Sequence, residues 1–252
     1  MSVVSGPPRA VYTTAVETLA GRVVRALTGA DDAFALTEVV SPESSPADHR
    51  AGLAAVRVLG ADALAPFLVA GHPFSPDDAE VVAISIRTFP LPESAPAVSQ
   101  DQDAETATFV RLLREWATGE VLSRLGAPGW ACSYPVWAGA GARRERGWVA
   151  WAGMLAALSP LAVPGLDSAL HADVRCSRMD VARGVTRAVL RRDHLTAARL
   201  VRWLAVCTDA LMDPPFAVEP VVRQLELVAE PDPRLQLEIT MARYGLEGEF
   251  DD

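Results

Sequence analysis

The sequence contains no lysine and no asparagine; all 23 cationic side chains are arginine, and isoleucine occurs only at Ile84, Ile86 and Ile239. Residues with A/T-rich codons are scarce while Ala, Arg, Gly, Pro and Val abound, the pattern expected of a high-G+C bacterial genome. The missing lysine removes whole chemistries. A chain without it has no Schiff-base nucleophile, no pyridoxal-phosphate anchor and no P-loop lysine for phosphates. The missing asparagine removes the N-x-S/T acceptor for glycosylation.

Cysteine is sparse as well: Cys132, Cys176 and Cys207 stand far apart, with no C-x-x-C among them. Zinc ribbons, iron–sulfur clusters and thioredoxin-type motifs are therefore unsupported, and an odd, scattered set fits a reducing compartment. No run approaches the roughly 18 charge-free apolar residues of a membrane span. The start, MSVVSGPPRAVYTTAVE, has early prolines and lacks a signal-type apolar core. The expected location is the cytoplasm, with no membrane partner.

Four histidines, His49, His72, His171 and His194, lack H-x-x-x-H, E-x-x-H and H-E-x-x-H spacing, which argues against zincin and di-iron centres. The nearest thing to a ligand cluster, His171, Asp173 and Cys176 in HADVRC, matches no standard metal site. Neither G-x-S-x-G nor G-x-G-x-x-G occurs. No metal or cofactor is expected, and the sequence leaves open whether the protein is an enzyme.

What is present is helical pattern. Half of the residues are hydrophobic and 22% charged, enough for a substantial core. Val11, Ala15, Leu19, Val23 and Leu27 recur at helical spacing over 8–28, and a shorter helix is expected over 31–40. Ser45-Pro46-Ala47-Asp48 and Ser75-Pro76-Asp77-Asp78 both read as helix starts, with a capping serine, proline at the first position and an acid three residues on. The stretch 80–89 could pass as a strand, but its start argues for a helix. Phe109, Leu112, Leu113, Trp116 and Val121 give 104–125 one apolar face, ended by Gly126 and Pro128. Further helices are expected at 148–158, 177–192, 194–213, 216–230 and 233–245. Ser177 with Asp180 resembles a capping box, and Asp193 and Asp232 sit as caps. Cys207 reads as core.

The fold class that follows is all-α, about ten amphipathic helices packed as hairpins or an irregular bundle. The similar starts 30 residues apart hint at a solenoid-like N-terminal part. Pro-, Ser- and acid-rich 90–103 is a linker or exposed excursion between an N-terminal helical part, 1–89, and a C-terminal one, 104–252; one combined domain is the alternative.

Two features suggest where binding could occur. Segment 126–147 has no period, and a structureless connection of that length is often functional. It carries Trp130, Tyr134 and Trp137, then turns basic at Arg143, Arg144 and Arg146; five of the six tryptophans fall between Trp116 and Trp151. Rings beside guanidinium forks suit an anionic or planar ligand, or a partner surface. The plainer reading, and the preferred one, is that the tryptophans pin a loop onto a core of small residues. The second feature is charge. Residues 143–202 hold 11 Arg against 5 acids, although the whole chain is −9. Arg183, Arg187 and Arg191 repeat every four residues as one basic ridge. With no helix-turn-helix turn and no finger spacing beside it, nucleic acid is disfavoured; the chain's own acidic ends or another subunit are better matches.

The expected function is thus a helical binding or interaction protein, an adaptor or assembly component that joins a protein partner or forms a homo-oligomer. The alternative is a small-molecule enzyme or binder with an apolar helical pocket, closed by 126–147 over an anionic or aromatic ligand.

Overall fold

A computed structural model describes residues 9–40, 45–91, 102–130, 133–135, 147–207, 216–228 and 232–247. All regular structure among them is helical, which makes the protein all-α as its periodicity predicts. The chain divides into two compact units. One comprises Met1–Glu93 with Thr118–Ala131, the other Ser94–Ala117 with Cys132–Asp252.

In the first unit, α1 (Arg9–Leu27) packs on α2 (Pro46–Leu59), and α2 packs on α4 (Pro76–Thr88). A 3-10 turn, Gly60–Leu64, leads from α2 into the short α3 (Ala65–Val69). Leu19, Val23, Leu36, Leu53, Val56 and Leu64 fill the core. Phe67 is flanked by Phe34 and Phe74, with ring centroids 5.2 and 5.1 Å away. The run Pro46–Val69 is long and apolar enough to cross a membrane by composition, yet 67% of its most apolar window is buried in the protein.

Both serine starts cap as expected. Ser45 Oγ accepts from the Asp48 amide, and Ser75 with Asp78 completes a reciprocal capping box. Residues 31–40 differ from the expected helix, since only Thr37–Val40 coil, as a 3-10 turn. The reason lies in competing side chains. Asp78 Oδ1 takes the Leu36 amide at 2.7 Å, and Asp31 turns back to Arg25 at 3.1 Å. The Leu36 amide is thereby withdrawn from helical bonding.

In α5 (Gln102–Arg124), residues through Ala117 belong to the second unit and those from Thr118 to the first. The second unit continues with α6 (Trp148–Ala157), α7 (Ala169–Cys176), α8 (Arg178–Leu190), α9 (His194–Val206), α10 (Val218–Val228) and α11 (Pro233–Glu247). Helix α9 is its centre, packed against α6, α8, α10 and α11. It is buried nearly all round, from Ala197 to Ala205, which is the pattern of a core helix rather than a surface one. Asp193 caps it through the Thr196 amide.

Helices approach α9 closely where glycine permits. A Cβ on Gly184 would stand 2.7 Å from Ala152 Cβ and 2.9 Å from Leu200; one on Gly245 would stand 3.1 Å from the backbone of Ala205 and Val206. Ser177 begins α8 without the expected side-chain cap. Its hydroxyl instead donates to the Asp173 carbonyl at 2.6 Å and accepts from Trp151 Nε1 at 3.1 Å. The end of α7, an element too short for periodicity to reveal, thus captures the capping group.

Candidate functional site

Trp130 and Tyr134 fall in different units. Trp130 lines a hollow of about 430 Å³ in the first, with Phe74, Pro76 and Pro128. Two of the polar side chains there are engaged: Ser75 Oγ donates to Asp78 at 2.6 Å, and Glu80 accepts from Arg87 at 2.6 Å. Tyr134 packs edge-on against Trp116 in the second unit, at 4.8 Å between centroids. Trp137, Arg143, Arg144 and Arg146 lie outside the described residues. The remaining tryptophans of the cluster, Trp116 and Trp151, are core residues of the second unit, and Trp148 is half-buried.

The basic ridge of α8 is exposed. Arg183 pairs with Asp180 at 2.9 Å. Arg187 and Arg191 face solvent, and neither forms an ion pair among the described residues. The helix ends at Leu190 with Arg191 as its cap, and Arg192, with a φ of 57°, turns the chain away from it.

Immediately beside this ridge lies an apolar groove of about 440 Å³. Its walls are Val185, Val189 and Leu190 of α8 and Val221, Leu225 and Val228 of α10, with His194 at the start of α9. Leu190 is 79% exposed and Val189 38%. The Thr186 hydroxyl donates to the Ala182 carbonyl at 3.0 Å, so it is spent within its own helix. Among the described residues, the His194 and Gln224 side chains of the lining have no hydrogen-bond partner. Helix α10 is apolar on two faces: Val218, Val222 and Leu225 enter the core, while Val221 and Val228 stay half-buried at the groove.

Sequence reasoning missed this groove because it exists only once α8 and α10 are placed. Its one-dimensional trace is the doubled apolar face of VEPVVRQLELV, wider than a single buried stripe requires.

A second missed feature is a charged cluster inside the core. Arg202 is fully buried; its Nε donates to the Ala162 carbonyl at 2.7 Å and its guanidinium meets Glu238 at 3.0 Å. Glu238 also accepts from Arg199 at 3.1 Å and from Ser159 Oγ at 2.8 Å. Charges in the apolar runs ARLVRWLAV and LQLEITMA were the available signal, because ionised groups are buried only when paired. Close by, Trp203 Nε1 donates to the Leu155 carbonyl at 2.8 Å.

The HADVRC residues diverge. His171 is enclosed, bonded through Nδ1 to Ser168 Oγ at 2.8 Å and edge-on to Trp203, whereas Cys176 is exposed. Among the described residues no three His, Cys, Asp or Glu side chains are placed to hold a metal ion. Burial pushes the Cys207 thiol up to about 12, with Arg175 and Arg178 opposing the shift. It is a core thiol, protonated at neutral pH.

The α8–α10 groove is thus walled mainly by aliphatic side chains, with exposed arginines on the adjoining face of α8. No protein-family model, curated protein or solved structure matches the chain.

Proposed function

We propose that this chain is a helical interaction protein, an adaptor or assembly component, that holds a protein partner in the groove between α8 and α10. The observation that carries the reading is the exposure of Leu190 and Val189 on the wall of a 440 Å³ apolar trough. Fully burying an aliphatic side chain of this size contributes about 1.5–3 kcal/mol. Most of that gain for Leu190 is unrealised in the isolated chain and is available to a partner. Scattered exposed leucines are ordinary, but a leucine continuous with an open apolar trough is the arrangement found at docking surfaces.

The reading is tested by placing a photo-crosslinking benzoylphenylalanine at position 190 in cells of the source organism. Val58, 43% exposed in the first unit, provides the control position. Discrete adducts at 190 that are absent at 58 are the expected result. Equal, diffuse labelling at both positions would overturn it.

A further inference from the structure

The class of partner can be narrowed, an inference that rests on the reading of the groove as a protein-docking surface. The groove follows α10 from Pro220 to Val228, which at 1.5 Å per residue is about 12 Å, a little over two helical turns. Its opposite wall is the second half of α8. A trough walled by two helices admits a third laid along it, with apolar anchors at i, i+3 or i+4, and i+7.

Charge distinguishes its two edges. On α8, Arg183 and Arg187 precede the groove residues Thr186 and Leu190 by three positions, and residues three apart are neighbours on a helix. Arg183 and Arg187 therefore flank the outer edge of α8 beside Thr186 and Leu190, and Arg191 follows Leu190 in the chain; none of the three is itself a lining residue. Arg187 and Arg191 have no carboxylate partner among the described residues. On α10 the carboxylates are already held: Glu219 by Arg223 at 2.9 Å and Glu226 by Arg243 at 2.5 Å. The outer edge of α8 is thus locally positive on a chain of net charge −9.

We propose that the groove takes an amphipathic helix of a partner protein, its apolar face in the trough and its acidic flank against Arg187 and Arg191. Guanidinium forks bind carboxylates with defined geometry, so the charged edge fixes the direction and register of the bound helix. The apolar floor provides affinity, while the positive edge steers association and repels basic helices.

The test is a display library of short helical peptides, with Leu at i, i+3, i+4 and i+7 and random Glu, Gln or Arg elsewhere. It is selected on the full-length protein, on Leu190→Glu and on the double variant Arg187→Glu/Arg191→Glu. Far-UV circular dichroism confirms that each variant is folded, and Leu190→Gln replaces Leu190→Glu if the latter is not. The wild type enriches Glu-rich peptides about tenfold over Leu190→Glu, and the double variant shifts the enriched pool to Arg-rich peptides. Enrichment without charge bias, unchanged in the double variant, would overturn the acidic partner and leave the docking reading in place. No enrichment over Leu190→Glu would remove both. A concentration-dependent dimer of the protein alone, abolished by Leu190→Glu, would assign the groove to a second copy and overturn the proposal.

Discussion

Between α9 and α11, Arg202 is enclosed with every direction of its guanidinium bounded by protein, meeting Glu238 and the Ala162 carbonyl. Along α8, one helix away, Arg187 and Arg191 stand in solvent beside an open aliphatic trough. The same side chain serves opposite ends in the two places. In the α9–α11 seam, ionic groups are desolvated and saturated, so the seam is closed and has nothing to offer a ligand. At the α8–α10 groove, apolar area is left uncovered, and Arg187 and Arg191 have no carboxylate partner among the described residues. A buried cation has to be satisfied within the fold, whereas an exposed one can wait for a partner.

The largest effect expected from breaking this contrast is in the seam. Glu238→Ala strands the Arg202 guanidinium without its counter-ion and should cost about 3–5 kcal/mol in urea unfolding. The double replacement Arg202→Met/Glu238→Leu should recover most of that loss, because removing both charges also removes the desolvation cost. A loss of under about 1 kcal/mol for the single variant would mean that the ion pair does not hold the seam. Cys207, whose thiol burial pushes up to about 12, reports the same opening. Its labelling by a thiol reagent at neutral pH should rise roughly a hundredfold or more in Glu238→Ala.

A smaller effect is expected where α11 closes on α9. Gly245→Ala places a methyl 2.9 Å from Val206 Cγ2 and 3.1 Å from backbone that cannot move aside. Overpacking of this kind costs about 1–3 kcal/mol, measurable as a lower urea midpoint. Smallest of all is the groove. Leu190→Glu should change stability by no more than about 0.5 kcal/mol, since the side chain is 79% exposed. Loss of several kcal/mol there would make Leu190 a core residue and close the groove as a binding surface.

The helices were legible wherever a local signal stood uncontested. Ser45 and Ser75 cap because serine, proline and an acid at fixed offsets suffice on their own. Ser177 offered a similar pattern, yet its hydroxyl is taken by Asp173 and Trp151, partners that local spacing does not reveal. The segment before Val40 failed as a helix for the same kind of reason, because Asp78, distant in sequence, claims the Leu36 amide. Binding features divide likewise. The ridge of Arg183, Arg187 and Arg191 follows from a four-residue repeat. The trough beside it requires knowing which flank of α8 the core consumes and where α10 comes to rest. Tryptophan clustering drew attention to 126–147, but two of those rings, Trp116 and Trp151, serve the core.

Hydrogen exchange with and without a groove-selected acidic peptide tests the central claim most directly. The account predicts slowed exchange confined to 185–194 and 217–228, with the seam of α9 and α11 unchanged. Protection centred instead on the hollow around Phe74 and Trp130, or spread evenly over both units, would contradict it.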